Sequence, residues 1–189
     1  MNILTTNTKL SRDGIYTFNH PSGRPYCIGA DSCLGFCFWD NIYKQYPNTK
    51  PAHIRNWELS QKPFFADMVI YELQSNPRMK LIRPYASGEY TKKGVEDWHK
   101  IASAMPDRRF YSYTKAYKVF DFSALEKLKN FKIIQSEGGI HPVDKRKPHA
   151  IIVDKGQPIP DGYVDASESD AIGADPRNKK IALYRKGGK

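Results

Sequence analysis

Residues 79–135 decide the fold, and their sequence is MKLIRPYASGEYTKKGVEDWHKIASAMPDRRFYSYTKAYKVFDFSALEKLKNFKIIQ. Three short apolar runs in this stretch, at residues 79–84, 108–113 and 131–135, predict buried β-strands. Residues 92–105 and 123–129 between them have the apolar spacing or the capping pattern of helices. Because strands and helices alternate at this spacing, we predict an α/β fold: a parallel sheet with right-handed crossovers, built as a partial (β/α) barrel.

The segments on either side extend this pattern. In the helix 123–129, Ser123 is the expected N-cap and Glu126 completes a capping box. We predict a strand at residues 14–18 and a mostly helical N-terminal third. Its helices are expected at residues 39–46, at residues 51–60 and from residue 63 onward. Further strands are predicted at residues 150–153, 162–165 and 180–184, and RKGGK at the end reads as a loose tail.

The size and composition of the chain fit one domain. With 189 residues, of which 40% are hydrophobic, the chain can bury one substantial core. We therefore expect a single domain over residues 1–189. Its N-terminal part would be residues 1–78, and the strand–helix repeats would occupy residues 79–186.

The charge of the chain indicates what it could bind. Thirty Lys and Arg against 20 Asp and Glu give a formal net charge of +10. Such a surface attracts polyanions, so nucleic acid or an acidic protein is an expected partner, although a merely soluble basic protein has the same composition. The sequence has no long apolar stretch and no signal-peptide pattern at its start, so we expect a cytoplasmic protein without a membrane segment.

All three cysteines lie in one stretch, YCIGADSCLGFCFW at residues 26–39, which we call the cysteine loop. Cys27, Cys33 and Cys37 have the spacing C-x5-C-x3-C. An odd number of cysteines in a reducing compartment argues against a disulfide framework, and small residues such as Gly29 allow thiolates to converge on one point. The loop therefore predicts a metal or iron–sulfur site. Two packed thiols with one bystander, or one disulfide with a spare thiol, are the alternatives.

Zinc is the main alternative metal, and it needs a fourth ligand because structural zinc sites are usually closed and tetrahedral. Four histidines could supply that ligand: His20, His53, His141 and His149. The paired spacing of a zinc motif is missing, however, so each of them is more often an ordinary polar side chain.

Polar turns follow three of the predicted strands directly. They contain Ser87-Gly88-Glu89, Thr114-Lys115 and the turn that begins at Ser136. The carboxyl ends of parallel strands meet at one edge, where ligand sites form in α/β proteins. Each turn alone could be purely structural. Together with the cysteine loop they predict one site at this edge.

Six acidic residues near the C-terminus could in principle hold a divalent metal for nuclease-type chemistry. They are Asp154, Asp161, Asp165, Glu168, Asp170 and Asp175. Their spacing matches no metal motif, so we interpret them as a solvated acidic loop.

The whole chain resembles the phage gene product 88 family, whose members are small proteins of unassigned function. The resemblance rests on NTKL near the start, the cysteine loop, RPYASGEYTKKGVEDW, DRRFYSYTK and DASESDAI. In the family pattern, His and Asp usually stand where this chain has Tyr85 and Ala86, and Asp stands in place of Glu89. These departures affect any chemistry that requires a histidine or the shorter carboxylate at this turn.

More distantly, the chain is similar to a shortened radical-SAM domain. The resemblance implies that Cys27, Cys33 and Cys37 bind three irons of a [4Fe–4S] cluster and leave the fourth iron for S-adenosylmethionine. It also implies that Phe36, immediately before the last cysteine, packs near the adenine, and that Ser87-Gly88-Glu89 receives the amino group. Both cysteine gaps are wider here than the usual C-x3-C-x2-C.

Two hypotheses follow from the sequence. In the first, the protein is an enzyme or the descendant of one, with an iron–sulfur cluster and S-adenosylmethionine at the strand edge. In the second, it is a non-catalytic phage protein that binds nucleic acid or an acidic host component. Its cysteines would then form a structural zinc site or simply pack.

Overall fold

A computed structural model describes residues 2–185 and shows a mixed α/β fold around a seven-stranded sheet. The strands are β1 (Ile15–Phe18), β2 (Leu81–Pro84), β3 (Arg109–Thr114), β4 (Phe131–Ser136), β5 (His149–Val153), β6 (Val164–Asp165) and β7 (Lys180–Tyr184). The helices are α1 (Thr8–Arg12), α2 (Phe38–Gln45), α3 (Thr49–Ser60), α4 (Phe65–Ser75), α5 (Lys92–Ala104), α6 (Ser123–Glu126) and α7 (Ala171–Ala174). A short 3-10 helix, Ser32–Phe36, lies in the cysteine loop.

The sheet is entirely parallel and curls into a half-barrel. Its strand order is β1-β2-β3-β4-β5-β7-β6, so the first five strands are neighbours in chain order. The predicted α/β fold with a partial barrel is therefore confirmed, and so is the mostly helical N-terminal third. The carboxyl ends of all the strands meet at one edge of the sheet, because the strands run in the same direction.

Successive residues of the central strands enter two different cores. Ile82 and Phe110 pack beneath α4 and α5, in a core that contains the fully buried Trp98. Leu81 lies one residue before Ile82, and Tyr111 lies one residue after Phe110. Both side chains point to the opposite face of the sheet. Since side chains alternate along a strand and a parallel sheet buries both faces, each strand reads as a continuous apolar run.

The inner face of the half-barrel is filled by two short helices that the sequence did not predict. Leu10 of α1 and Ala174 of α7 pack against Ile15, Leu81 and Ile181. α1 and α7 have only five and four residues, too few for a helical apolar period to be visible in the sequence.

The acidic segment before α7 is not a solvated loop throughout, which corrects the interpretation made from its composition. The side chain of Asp170 is only 12% exposed and forms ion pairs with Arg83 of β2 and Lys9 of α1. Ala166 and Ser167 are also buried. These three residues are largely buried because they cover the inner face of the sheet.

Other differences are local. Ser123 was wrongly predicted as an N-cap: it is the first residue of α6, and Phe122 occupies the cap position. The predicted tail falls largely on residues 186–189, which lie outside the described residues. Within residues 2–185, no helix is both long and apolar enough to cross a membrane.

Candidate functional site at the carboxyl edge of the sheet

The turns that follow β1 and β2 are joined by hydrogen bonds at the carboxyl edge. The side-chain oxygen of Asn19 accepts a hydrogen bond from the backbone N–H of Ser87 over 3.0 Å. The backbone N–H of His20 donates in turn to the carbonyl oxygen of Ser87 over 3.1 Å. The Ser87-Gly88-Glu89 turn is therefore fixed directly beside the segment that leads into the cysteine loop.

The turn after β2 has an unusual backbone. Tyr85 has a φ of 56°, in the left-handed region that residues other than Gly, Asn and Asp rarely adopt, and Gly88 has a φ of 77°. A Cβ on Gly88 would also lie 2.5 Å from the Cβ of His20. The ring of Tyr85 packs against His20 and Tyr90, with centroids 4.5 Å apart in both cases. Strain of this kind is often found where a turn orients a binding site.

Glu89 connects the turn after β2 to the turn after β3. One carboxylate oxygen accepts hydrogen bonds from the Tyr90 N–H over 2.9 Å and the Thr114 hydroxyl over 2.8 Å, and the other accepts from the Lys115 N–H over 2.7 Å. Burial raises the pKa of this carboxyl group, although the three donors oppose the rise. Glu89 is 5% exposed and still forms part of the pocket wall.

The cysteine loop packs onto the ends of β3 and β4 through glycines. Ala30 and Gly139 form an antiparallel bridge, and the N–H groups of Asp31 and Cys33 both donate to the carbonyl oxygen of Gly138. A Cβ on Gly29 would lie only 2.5 Å from the carbonyl carbon of Lys115. This atom belongs to the main chain, which shifts only at a cost in free energy. Close packing of main chain against main chain therefore holds the loop over the edge.

The helix after the cysteine loop is anchored to the same turn. The indole N–H of Trp39 donates to the carbonyl oxygen of Ala86 over 2.9 Å. The hydroxyl of Tyr43 accepts from the Ser22 N–H and lies 3.3 Å from the Ser87 hydroxyl and 3.0 Å from His53 Nδ1. These bonds fix both ends of the cysteine loop.

One pocket of about 260 Å³ collects nearly all of the residues predicted from sequence. Its wall contains Cys27, Cys33, Cys37, Phe36, Ser87, Gly88, Glu89, Lys115 and Ser136. Thr114 lies behind the wall, where its hydroxyl donates to Glu89 and accepts from the Ala116 N–H. The ammonium group of Lys115 donates to the Ser136 hydroxyl over 2.9 Å. Turns from β2, β3 and β4 thus surround the three thiols.

Several residues of the pocket wall were not predicted from the sequence. Ile152 of β5 and Leu183 and Tyr184 of β7 form the far wall, and the Arg185 guanidinium lies 4.5 Å from the ring centre of Phe36. The ends of these later strands carry no turn motif that marks them as a site.

Arg83 is the most informative of the missed residues. Its side chain is 17% exposed and lies in the inner face between the apolar core and the pocket, with its guanidinium 4.9 Å from the ring centre of Tyr113. A signal existed in the sequence. Arg83 lies two residues after Leu81 and therefore on the same face of the strand. An inward-facing cation could have been expected within MKLIRP for this reason.

The three cysteines are free thiols in a partly buried setting. Burial raises the pKa of the Cys27 thiol to about 12, and the nearby Glu89 carboxylate raises it further. Burial also raises the pKa of Cys33, while the Lys115 ammonium group opposes that rise. Since a metal binds the thiolate, ligation at this site would release protons.

Three of the four histidines considered as zinc ligands, His20, His53 and His149, make other contacts. His20 Nδ1 is 3.1 Å from the Glu89 carbonyl oxygen, and buried His149 contacts the Lys147 carbonyl oxygen and the Tyr163 hydroxyl. Burial lowers the pKa of both His20 and His53 to about 4. Among residues 2–185, no three His, Cys, Asp or Glu side chains form a group that could hold one metal ion.

The comparisons with known proteins identify a family and no nearer relative. A search of curated proteins found no match, and a search of solved structures found none either. The model of the gene product 88 family matches residues 1–189, the whole chain, and the protein therefore belongs to the phage gene product 88 family.

Proposed function

We propose that the protein binds an iron–sulfur cluster through Cys27, Cys33 and Cys37 and a small ligand, S-adenosylmethionine, in the adjoining pocket. One observation carries the proposal: the three thiols line the same pocket as Ser87, Gly88 and Glu89 at the carboxyl edge of the half-barrel. The chain contains no fourth cysteine, so one iron of a four-iron cluster would be left for a ligand that the protein does not supply.

A four-iron cluster and a single zinc ion make different demands on the three thiols. Four zinc ligands must all lie within about 2.3 Å of one atom, whereas a four-iron cluster distributes its thiolates over separate irons. No group of three His, Cys, Asp or Glu side chains suited to a single ion occurs in residues 2–185. The same three thiols nevertheless face one cavity. A closed zinc site would also require a fourth ligand besides the three cysteines.

The remaining residues of the wall have supporting roles. The Lys115 ammonium group would favour the negative charge of thiolates that bind metal, because it opposes the rise in the pKa of Cys33 that burial causes. The Glu89 carboxylate accepts three hydrogen bonds from the protein. Since two carboxylate oxygens offer about four acceptor positions, one remains for an amino group of the ligand.

The test is the metal content of protein purified and reconstituted without oxygen. We expect iron and sulfide in nearly equal amounts, together with the visible absorption of an iron–sulfur protein. The variants Cys27→Ser, Cys33→Ser and Cys37→Ser should each lose the iron, the sulfide and the absorption. Ser32→Ala, at an exposed position of the same loop, should keep the cluster. Colourless protein with stoichiometric zinc would refute the proposal.

The ligand is tested separately on the cluster-loaded protein. Binding of S-adenosylmethionine should perturb the electron paramagnetic resonance spectrum of the reduced cluster. A cluster whose spectrum does not respond to S-adenosylmethionine would leave the metal site standing and refute the assignment of the ligand.

A further inference from the structure

The positive charge of the chain is concentrated at the edge opposite the cysteine site. Residues 76–80, 106–109, 126–132, 142–148 and 175–180 lead into or begin β2, β3, β4, β5 and β7, which are consecutive neighbours in the sheet. We call these segments the amino-end rim. Its cations are Arg78, Lys80, Arg108, Arg109, Lys127, Lys129, Lys132, Lys145, Arg146, Lys147, Arg177, Lys179 and Lys180. Only four acidic residues share the rim: Asp107, Glu126, Asp144 and Asp175. The rim thus carries an excess of nine positive charges, against +10 for the whole chain.

Two of these cations have structural roles. The Arg108 side chain is buried and donates to the carbonyl oxygen of Leu73 over 3.2 Å. The Lys132 ammonium group donates to the carbonyl oxygens of Gly173, Asp175 and Asn178, which secures the chain after α7. The other eleven are exposed, although Lys80, Arg146, Lys147 and Arg177 pair with acidic residues of the rim.

Several of the exposed cations are not neutralised by the protein. Within residues 2–185, Arg109, Lys127, Lys129 and Lys179 form no ion pair. Arg109 and Lys129 also line a pocket of about 360 Å³ at this edge, together with the ion pair of Lys147 and Glu126. Cations without acidic partners beside an open depression give a strongly positive local potential.

We propose that the amino-end rim binds the phosphate backbone of nucleic acid. Neighbouring strands lie about 4.8 Å apart, so the cations that precede five adjacent strands extend over roughly 20 Å, further than one small anion requires. Large exposed apolar side chains do occur in the described part of the chain, but none of them belongs to the rim. A protein partner or a membrane surface would normally be matched by apolar contacts of that kind. The rim therefore matches a polyanion, and this inference does not depend on the cysteine site.

The experiment measures the affinity of the full-length protein for labelled single-stranded and duplex DNA over a range of salt concentrations. The test variant is Arg109→Glu with Lys129→Glu. The matched control is Lys44→Glu with Lys62→Glu, which makes the same change in net charge at exposed positions of the helical N-terminal third. Arg109→Gln with Lys129→Gln checks that an effect does not require new negative charge.

We expect the wild type to bind with little dependence on DNA sequence, and the rim variant to lose about tenfold or more in affinity. Its plot of log affinity against log salt should be less steep by about 1.5, because each phosphate contact contributes about 0.7 to 0.9. The glutamine variant should show a smaller loss in the same direction, and the control should stay within about twofold of the wild type.

Three results would overturn the proposal. One is equal loss of affinity in the rim variant and the control, because only total charge would then matter. Another is no DNA binding by the wild type at low salt. The third is binding to vesicles of anionic phospholipid under conditions in which DNA is not bound. Circular dichroism of each variant confirms that the fold is retained.

Discussion

Gly29 shows how one residue determines whether the cysteine loop can pack against the end of β3. Replacement by Ala would place a Cβ 2.5 Å from the Lys115 carbonyl carbon, so the cysteine loop would have to shift away from β3. We expect Gly29→Ala to cost about 1–3 kcal/mol in the free energy of unfolding, as overpacked positions do. We also expect the Cys27 thiol to react faster with a thiol reagent, since burial is what now protects it. Urea unfolding and the rate of thiol labelling measure the two effects.

Gly35→Ala is the matched control in the same loop. A Cβ at Gly35 would meet no atom within 4 Å, so this variant should unfold and react like the wild type. Equal behaviour of the two variants would contradict the role assigned to Gly29. In the sequence the two glycines look alike, because the close approach that makes Gly29 necessary comes from Lys115, 86 positions further along the chain.

At the scale of elements, the segment that precedes α7 connects the inner face of the sheet to the pocket. Asp170 neutralises Arg83 inside the half-barrel, and Asp13 accepts hydrogen bonds from the Ser169 hydroxyl and the Ala171 N–H. Composition alone indicated a solvated acidic loop, since Asp, Glu and Ser dominate the segment. This interpretation was wrong for Asp170 because the side chain is held in the interior by Arg83. That buried cation lies on β2 and is not visible in the composition of the segment.

The ion pair predicts unequal effects of two similar substitutions. Asp170→Asn would leave Arg83 charged and largely buried without its main partner, so we expect a loss of about 3–5 kcal/mol in the free energy of unfolding. Asp175→Asn removes the same charge from a pair with Arg177, whose side chain is 87% exposed, and should change stability little. Urea unfolding of both variants measures the contrast, and similar losses in the two would contradict the role assigned to Asp170.

At the scale of the whole molecule, two buried histidines make stability depend on pH. Burial lowers the pKa of His20 and His53 to about 4, whereas unfolded histidine titrates near 6.5. The unfolded chain therefore takes up protons first, so these residues weaken the fold as the pH falls from about 6.5 to about 4. Buried Glu72 and Glu89 act in the opposite direction because their pKa values are raised.

The variant His53→Asn isolates one of these contributions, because Asn keeps an acceptor for the Tyr43 hydroxyl and does not titrate. We expect the stability advantage of the wild type over the variant to shrink by up to about 3 kcal/mol between pH 6.5 and pH 4. Between about pH 7 and pH 8 the difference should stay constant. Urea midpoints across this range measure it, and a difference that stays constant down to pH 4 would contradict the prediction.

The sequence by itself determined the parallel α/β sheet, its partial-barrel form and the edge at which the predicted site residues lie. Apolar runs and their spacing are local, and three strands of known direction already fix which ends meet. Nine of the wall residues of the pocket were predicted for that reason, since each follows a strand or lies in the cysteine loop.

Only the tertiary structure decided which side chains complete the pocket and what the other polar residues do. Arg83, Tyr85 and Arg185 enter the wall, while His20 and His149 bond elsewhere. It also showed that cations scattered along the chain collect on the amino-end rim, opposite the cysteines. The physical reason is that these outcomes depend on contacts between residues far apart in sequence, which are fixed by loop packing and buried charge and leave no local pattern.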